Sequence, residues 1–467
     1  MARIVIMGGG PAGYEAALVA ASHGADVTVI EPAGLGGACV LYDCVPSKTF
    51  IASAGARSTF RRAPELGIRT DGADASVDIR RVHGRVTGLA LAQSADVRAQ
   101  LQREGVNMIT GTGRFCDEER GRAKHRVAVR ESDGSEQVLD ADVVLIATGA
   151  TPRILDGAEP DGERILTWRQ IYELPALPEH LVVIGSGVTG AEFASAYTEM
   201  GVKVTLVSSR GRVLPHEDAD AAAVLEEVFA ERGTTVLNNA RAEKVARVGD
   251  GVVVSLTDGQ RVAASHALMT VGSVPNTADI GLDRLGLEHG PGGFIPVDRV
   301  SRTSISSVYA AGDCTGLLML ASVAGMQGRI AMWHALGEGV SPIKLKTVSA
   351  NVFTHPEIAT VGISQQTIDS GEVAARTVML PLATNARAKM EGLRRGFVKL
   401  FCRHATGTVV GGVVAAPNAS ELILPIALAV RNQLSAEDLA TTFSVYPALT
   451  GSITEAGRQL MRHDDLG

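Results

Sequence analysis

One glycine pattern occurs twice in this chain of 467 residues, and it constrains the fold more than any other feature. The first copy consists of Gly8, Gly10 and Gly13, and it follows the apolar residues 3–7. Glycines spaced in this way between a strand and a helix let the backbone approach a pyrophosphate at the start of the helix. A second apolar stretch ends in Glu31, where an acid can hold the hydroxyl groups of a ribose. The pattern predicts a dinucleotide-binding βαβ unit.

The second copy of the pattern follows a predicted strand at residues 181–184 and consists of Gly185, Gly187 and Gly190. It begins 177 residues after the first copy, at residue 185 against residue 8, and at that offset Ser208 takes the place of Glu31. An acid repels a 2′-phosphate group, whereas a serine with a nearby arginine, here Arg210, can bind one. We therefore predict a second dinucleotide and expect NADPH to be usable alongside NADH, although Arg210 and Arg212 are equally consistent with ordinary solvated loop charge.

Two cysteines, Cys39 and Cys44, stand directly after the first βαβ unit, and Lys48 follows four residues later. Five residues of regular helix would separate the two Cα atoms by about 7.5 Å, which exceeds the roughly 4.4–6.8 Å of a disulfide. If the two cysteines bond, the segment between them is a distorted turn and the helix begins near Cys44. A helix N-terminus lowers the pKa of a thiol, so we predict a redox role for Cys44. Two unrelated buried cysteines are the alternative.

The bulk composition argues against several classes of protein. A net charge of −7 with scattered basic residues does not suit a standing nucleic-acid partner. The five cysteines are too few and too unevenly spaced for a secreted disulfide framework, and we expect no metal site because no metal-ligand spacing is present. The apolar residues 422–430 contain Pro425 and are too short to span a bilayer. Because the first strand and glycine loop leave no room for a signal peptide, we expect a cytoplasmic protein that does not span a membrane.

The order of predicted elements is that of a multidomain α/β protein. Apolar strands that end in tight turns recur at residues 143–149 and 308–313, as expected of a parallel sheet. The chain is predicted to cross between domains near residues 152–178 and to return near 271–276. From about residue 346 the sequence changes to strands and then helices, without a phosphate-binding loop. These features predict two dinucleotide-binding, Rossmann-like domains and a C-terminal α+β domain.

Three further motifs complete a recognisable set: Ala-Thr-Gly at residues 147–149, Tyr-Ala-Ala-Gly-Asp at 309–313 and Val-Phe-Thr-His-Pro-Glu-Ile-Ala at 352–359. With the glycine loops and the cysteine pair, they show that the chain resembles the flavoprotein disulfide reductases, such as lipoamide dehydrogenase, glutathione reductase, mercuric reductase and soluble transhydrogenase. The resemblance covers essentially the whole chain and implies a homodimer. The domains it implies are an FAD-binding domain at 1–150 and 275–345, an NAD(P)-binding domain at 151–274 and an interface domain at 346–467.

The resemblance also assigns the two dinucleotides. It implies FAD at the first glycine loop, with Asp313 at the ribitol and Thr148 and Gly149 on the flavin side. It implies NAD(P)H as co-substrate at the second loop.

The resemblance further assigns roles near the flavin. Lys48 is implied to lie beside flavin N5 and to pair with Glu192, although each could be an ordinary helix residue with a dipole-favoured charge. Cys44 is implied to be the thiol next to the flavin, and Cys39 the thiol that meets an external substrate. The interface domain is implied to complete the active site of the partner subunit.

The chain departs from the family pattern at the proton relay. Disulfide-reducing members carry a His-Pro-Thr-x-x-Glu motif near the C-terminus, whereas this chain has Tyr446 at the histidine position and Gly451 at the carboxylate position. Phenols ionise near pH 10, and loss of a positioned acid–base group typically lowers a rate by roughly 10²–10⁴. In the cysteine segment, Asp43 is expected to raise the pKa of Cys44. Ser273 replaces an arginine that is usual in the family.

These features predict an FAD-dependent NAD(P)H oxidoreductase that passes electrons to a small quinone-type acceptor instead of a disulfide. Reduced flavin can transfer electrons to a flat aromatic acceptor without thiol exchange. A disulfide reductase like dihydrolipoamide dehydrogenase, with a relocated proton donor, and a soluble pyridine nucleotide transhydrogenase are the close alternatives. A non-catalytic flavin-binding subunit or redox sensor is the alternative from a different class.

Overall fold

The structure, a computed structural model, describes residues 1–69, 75–116 and 124–461. The chain divides into two compact units, and each is assembled from three segments. The first unit comprises Met1–Thr49, His83–Arg153 and Gly272–Ile343, and the second comprises Phe50–Val82, Ile154–Val271 and Lys344–Gly467.

The first unit is built on a parallel five-stranded sheet. Its strands, in spatial order, are Val308–Ala310, Val143–Ile146, Arg3–Met7, Asp26–Ile30 and Asn107–Ile109. The central strands are almost entirely apolar because both faces of the sheet are covered. One face packs against helices, and the other packs against an antiparallel sheet and loop residues. Helices Pro11–Ser22 and Ala321–Ala335 pack closely on each other, and Gly328 allows this contact because a Cβ atom there would lie 2.1 Å from the Ala12 carbonyl oxygen.

Smaller sheets and helices complete the first unit. One antiparallel sheet contains Gly111–Phe115, His125–Glu131 and Glu136–Ala141, and a two-stranded sheet pairs Ala150–Pro152 with Ser273–Pro275. The short helix Gly37–Leu41 precedes helix Cys44–Arg62, and a long helix spans Ile79–Arg103. Both long helices begin in one unit and end in the other.

The second unit contains a second parallel five-stranded sheet, which repeats the strand–loop–helix arrangement of the first. Its strands, in spatial order, are Thr235–Leu237, Lys203–Val207, His180–Ile184, His266–Met269 and Ile165–Thr167. Its helices are Val188–Glu199 and Ala219–Glu231. A three-stranded antiparallel sheet follows, made of Ala242–Val248, Gly251–Leu256 and Arg261–Ala264.

The C-terminal part of the second unit is an antiparallel five-stranded sheet with helices. Its strands, in spatial order, are Ser349–Val352, Glu357–Gly362, Val409–Ala416, Phe397–Arg403 and Ala375–Pro381. Its helices are Gln365–Asp369, Ala386–Met390, Ala419–Asn432, Ala436–Thr441 and Gly451–Leu460. The predicted fold class, two Rossmann-like parts and a C-terminal α+β part, is confirmed. Across the described ranges, no helix combines the length and apolar character needed to cross a membrane.

Candidate functional site

The first glycine loop has the geometry of a phosphate-binding turn. Gly8 has a φ of +113°, and a Cβ atom there would lie 2.1 Å from the Ala147 carbonyl oxygen. A Cβ atom at Gly13 would lie 1.8 Å from the Gly8 carbonyl oxygen, so only glycine fits at either position. At Gly10 the nearest protein atom would be 4.0 Å away, which leaves space beside the backbone. Helix Pro11–Ser22 begins there without a side-chain cap, so its first amides can bind an anion.

Glu31 secures this loop with its carboxylate. Its Oε2 accepts a hydrogen bond from the Gly9 amide at 2.7 Å, and its Oε1 accepts one from the Ala33 amide at 2.8 Å. A carboxylate oxygen can accept two hydrogen bonds, so each oxygen retains one lone pair. Glu31 can therefore shape the loop and hold ribose hydroxyl groups at the same time, as predicted for an FAD site.

The cysteine segment rests directly on the first glycine loop. The Gly36 amide donates to the Gly9 carbonyl oxygen at 2.8 Å. A Cβ atom at Gly37 would lie only 2.9 Å from the Gly10 Cα atom, so glycine permits the close approach of the two backbones. A dinucleotide phosphate at this loop would therefore lie next to the cysteine segment.

The predicted break between the two cysteines is confirmed. The short helix Gly37–Leu41 ends where the amides of Tyr42 and Asp43 both donate to the Ala38 carbonyl oxygen, at 2.9 and 2.8 Å. A new helix begins at Cys44. The two cysteines are consequently carried by different helices, and the irregular backbone brings their thiols together.

Cys39 and Cys44 are free thiols in the structure, and the thiol of Cys44 is hydrogen-bonded to that of Cys39. This bond lowers the pKa of Cys39 and raises that of Cys44, because the donor must keep its proton. Burial and the Asp43 carboxylate raise the pKa of both thiols, whereas Lys48 lowers both. The predicted effect of Asp43 on Cys44 is confirmed. From the helix start we expected the lowered pKa at Cys44; in the reduced pair it falls on Cys39, since Cys44 donates the bond.

Asp313 belongs to the same electrostatic cluster. Burial raises its pKa to about 6, and the nearby Asp43 carboxylate adds to the effect. Asp313 in turn raises the pKa of Cys39. The structure thus brings together the two cysteines, Lys48 and Asp313, as the predicted site requires.

A residue that sequence reasoning missed holds the turn on which Asp313 lies. Gln327 is fully buried, and its Oε1 accepts a hydrogen bond from the Gly312 amide at 2.9 Å. Its Nε2 donates to Thr315 Oγ1 at 3.4 Å. The sequence signal is a single long amide side chain on the apolar helix Ala321–Ala335, but nothing in the sequence indicates its partners.

Thr148 and Gly149 lie on a turn that is fastened by Asn276. The Asn276 side-chain amide donates to the Thr148 carbonyl oxygen at 2.9 Å, and its backbone amide donates to the Gly149 carbonyl oxygen at 3.0 Å. The Thr148 hydroxyl is buried and has no hydrogen-bond partner among the residues that the structure describes. Because leaving a buried polar group unpaired costs about 1–3 kcal/mol, this hydroxyl fits a position that a bound polar ligand satisfies.

The second glycine loop repeats the geometry of the first. Gly185 has a φ of +110°, and a Cβ atom there would lie 2.4 Å from the Thr270 carbonyl oxygen. A Cβ atom at Gly190 would lie 1.8 Å from the Gly185 carbonyl oxygen, whereas one at Gly187 would meet no described protein atom within 4 Å. The loop therefore offers the same open approach to a pyrophosphate at the start of a helix.

Glu192 lies on the helix that follows the second loop, and it is buried. Its Oε1 accepts a hydrogen bond from the Phe353 amide at 2.9 Å, and three residues later Ser195 Oγ accepts one from the His355 amide at 3.1 Å. Sequence reasoning missed both contacts because they join residues about 160 positions apart. Lys48 belongs to the first unit and Glu192 to the second, so their pairing remains a prediction.

Directly after strand Lys203–Val207, Ser208 is fully buried and Arg210 is exposed. The Ser208 hydroxyl lies 2.7 Å from the Ser186 hydroxyl.

At the C-terminal end, Tyr446 is 84% exposed and Gly451 begins the last helix. Within the described part of the chain, no group of three or more potential metal ligands is found.

The two dinucleotide loops share one geometry, and the first contacts the segment that carries the two cysteines. Together they define a class of oxidoreductase that moves electrons between a nucleotide cofactor and a thiol-bearing centre. The pattern of the pyridine nucleotide-disulphide oxidoreductases matches residues 2–328, and the dimerisation domain of the same family matches residues 348–457. The chain belongs to this family. It is an enzyme with FAD as cofactor and NAD(P)H as co-substrate, and the buried Thr148 hydroxyl, the Glu31 lone pairs and the open backbone at Gly10 fit that cofactor.

Named relatives refine the comparison. An NAD(P)H dehydrogenase (quinone) from Mycobacterium tuberculosis is 64% identical over an alignment of 467 positions, which covers 99% of this chain and 95% of that protein. A dihydrolipoyl dehydrogenase from Chlorobaculum parvum is 33% identical over 97% of this chain and 96% of its own length. The crystal structure of LpdA from Mycobacterium tuberculosis superposes with a TM-score of 0.95 at 63% identity, covering 99% of this chain and 100% of that one.

Proposed function

We propose that the protein oxidises NAD(P)H and reduces quinones, and that disulfides are poor acceptors. The observation that carries this proposal is Tyr446, which stands where disulfide-reducing members of the family have their proton-relay histidine, while Gly451 replaces the carboxylate partner. A thiol that leaves during disulfide exchange needs a positioned proton donor, whereas a quinone can take protons from solvent. The 64% identity to a protein named NAD(P)H dehydrogenase (quinone) supports the same acceptor.

The proposed FAD site uses residues of the first unit. The free amides at the start of helix Pro11–Ser22 would hold the pyrophosphate, and Glu31 would hold the adenosine ribose. Asp313 would hold the ribitol, and the Thr148–Gly149 turn would lie on the flavin side. When bound, FAD supplies a carrier that takes two electrons from NAD(P)H and gives two electrons to the acceptor.

The protein side chains position the reactants and balance charge. Lys48 favours the anionic form of nearby groups, as its lowering of both thiol pKa values shows, and we infer that Glu192 pairs with it. The Phe353 amide fixes the orientation of the Glu192 carboxylate. The net reaction is NAD(P)H plus one proton plus quinone, giving NAD(P)⁺ and quinol, so solvent supplies one proton in each turnover.

The cysteine pair supports a second candidate, a disulfide reductase. Cys39 and Cys44 lie within hydrogen-bonding distance, and the pKa of Cys39 is lowered, as exchange chemistry requires. A disulfide between them, with Cys44 next to the flavin and Cys39 facing the acceptor, is part of this candidate. The 33% identity to dihydrolipoyl dehydrogenases favours it at the level of the whole chain.

Steady-state turnover separates the two candidates. We expect a soluble quinone to be reduced at least tenfold faster than lipoamide or glutathione disulfide under the same NADPH concentration. The expectation follows from the missing acid–base group, whose loss is typically worth roughly 10²–10⁴ in rate. Equal or faster reduction of either disulfide would overturn the proposed function.

The variant Cys44→Ser tests whether the pair is needed. Because the proposed route leaves from the flavin, Cys44→Ser should keep at least about half of the quinone reductase rate. Cys116→Ser serves as the matched control, since Cys116 is a free cysteine of the same unit outside the cluster. Near-total loss of quinone turnover in Cys44→Ser alone would show that electrons pass through the thiols.

We infer the subunit organisation from the same family relationship. The proposed domains are an FAD-binding domain at 1–150 and 275–345, an NAD(P)-binding domain at 151–274 and an interface domain at 346–467, whose last residues, 462–467, lie outside the described part. The exposed side chains of Phe443, Val445 and Tyr446 are suited to burial against a second copy. We therefore expect a homodimer, and the family relationship suggests that it is cytoplasmic. Light scattering after size-exclusion chromatography measures the number of subunits. A monomer at micromolar concentration would contradict the expected dimer.

A further inference from the structure

The two repeats use the same pair of positions to fasten the glycine loop to the end of the second strand. In the first repeat the Gly9 amide donates to Glu31 at 2.7 Å. In the second, the corresponding residues are Ser186 and Ser208, whose hydroxyl oxygens lie 2.7 Å apart. Both of these serines are buried, and Ser208 is fully so. The acid–amide contact of the FAD site is thus replaced by a buried hydroxyl pair.

The hydrogen-bonding capacity of Ser208 is fully used inside the protein. Its hydroxyl lies 3.1 Å from the Arg210 carbonyl oxygen and 3.2 Å from the Arg212 carbonyl oxygen, and it accepts from the Arg210 amide at 3.2 Å. A serine hydroxyl has one proton and two acceptor lone pairs. Shared donation to the two carbonyls, with acceptance from Ser186 and the Arg210 amide, accounts for all three. Ser208 therefore has no group left for a ribose.

The bonds of Ser208 fix the backbone of the loop that follows. The Arg210 amide is held by Ser208, and the Arg210 carbonyl oxygen also accepts from the Asn239 amide at 2.8 Å. The guanidinium of Arg212 is occupied, since its Nη2 donates to the carbonyl oxygens of Pro215 at 3.1 Å and Glu217 at 2.9 Å.

The guanidinium of Arg210 differs from that of Arg212. It is exposed, and among the residues that the structure describes no hydrogen bond or ion pair engages it. A planar guanidinium with five donors on an anchored backbone suits a phosphate group. Arg210 is thus the arginine of this loop that remains able to meet a ligand.

We propose that Ser208 is a positioning residue, and that the buried Ser186–Ser208 pair locks the loop so that Arg210 binds the 2′-phosphate of NADPH. This inference rests on the proposed function only in taking NAD(P)H as the reductant. The charged side chain of Arg210 would select the coenzyme, and the buried, neutral Ser186–Ser208 pair would hold the loop that carries Arg210 in place.

Two nucleotide fragments test the proposal on the FAD-loaded enzyme. Calorimetric titration with adenosine 2′,5′-bisphosphate and with 5′-AMP gives a ratio of dissociation constants that reports only the 2′-phosphate. The wild-type ratio should favour the bisphosphate clearly. Arg210→Ala should lower the ratio roughly 10- to 100-fold, as expected for charge-assisted hydrogen bonds. Ser208→Ala should lower it at least about fivefold, and the double variant should be no worse than Arg210→Ala, because the two residues act through one contact.

Matched controls separate loop positioning from loss of stability or charge. Thr198→Val removes a buried hydroxyl pair of the same kind, since Thr198 and Thr234 lie 2.7 Å apart in the same unit. Arg241→Ala removes an exposed arginine of that unit. Both controls should leave the ratio unchanged. If Ser208→Ala does not fold, Ser186→Ala removes the other hydroxyl and should lower the ratio by a smaller factor.

Several outcomes would overturn the proposal. These are a wild-type ratio near one, an unchanged ratio in Arg210→Ala, or an unchanged ratio in folded Ser208→Ala or Ser186→Ala. A loss of the ratio in Thr198→Val equal to that in Ser208→Ala would also overturn it, since general destabilisation would then explain both. Quinone turnover with NADH, measured in the same proteins, reports on the proposed function separately, because NADH has no 2′-phosphate.

Discussion

Replacing Asp313 by asparagine should stabilise the FAD-free protein at neutral pH. Burial, with a further contribution from Asp43, raises the pKa of Asp313 from 3.8 to about 6. The folded protein therefore holds the Asp313 proton more tightly than the unfolded chain does. The contribution of the Asp313 proton to the free energy of unfolding is fully present below about pH 3.8 and is lost as the pH rises through about 6.

The size of the effect follows from the two pKa values. Each pH unit between them corresponds to about 1.36 kcal/mol, so the ionised Asp313 lowers the free energy of unfolding by about 3 kcal/mol at pH 7.5. At pH 5, where most of the folded population keeps its proton while most of the unfolded chain does not, the same linkage gives about 1.6 kcal/mol. A neutral amide does not titrate, and Asp313→Asn should recover these amounts as an upper bound.

Thermal unfolding of the apoprotein at pH 5 and pH 7.5 measures the difference. The melting temperature of Asp313→Asn should exceed that of the wild type at both values, with the larger gain at pH 7.5. Asp283→Asn, which alters an exposed carboxylate of the same unit, should show no such gain. FAD affinity should fall in Asp313→Asn, because an amide offers fewer acceptors to ribitol hydroxyls. A variant no more stable than the wild type at pH 7.5, or an equal gain at both values, would refute the reasoning.

Two further predictions concern buried polar contacts. Lys399→Met should lower the free energy of unfolding by about 3–5 kcal/mol in guanidinium titrations, because it leaves the buried carboxylate of Asp218, 2.8 Å from Lys399 Nζ, as an unpaired charge. The double variant Lys399→Met with Asp218→Ser should recover most of this loss. A loss below about 1 kcal/mol in the single variant would contradict the prediction. Gln327→Leu should weaken FAD binding roughly tenfold, because the Gly312 amide loses its buried acceptor and the turn that presents Asp313 loosens. The fluorescence of released FAD measures the dissociation constant, and an unchanged value would show that the turn holds without Gln327.

The parts of the site that sequence could predict are those set by local sterics. Gly13 and Gly190 are required because a Cβ atom would strike the carbonyl oxygen of Gly8 or Gly185, five positions earlier, and this requirement gives the same spacing in both repeats. The break before Cys44 was predictable because a regular helix cannot bring two residues five apart within bonding distance. In both cases the constraint lies within a few residues of the chain, where a pattern can express it.

The contacts that sequence could not predict join distant residues. Phe353 donates its backbone amide to Glu192 across 161 positions, and a backbone amide leaves no trace in the residue type. The full burial of Ser208 depends on Ser186 and on loop carbonyls, so the sequence could equally indicate a ribose contact. The pKa of Cys39 depends on which of the two thiols donates the hydrogen bond between them, and the spacing of the cysteines in the sequence does not decide this.

The contact between Gly37 and the Gly10 backbone has a consequence for how this enzyme can change. The segment that carries the two cysteines is held by main-chain packing and by the Gly36 amide, and no covalent sulfur link is required to maintain it. Its shape should therefore outlast the removal of either thiol. A lineage that gave up dithiol exchange could lose the sulfur atoms one at a time while the backbone at Gly36 and Gly37 kept its contacts with the first glycine loop.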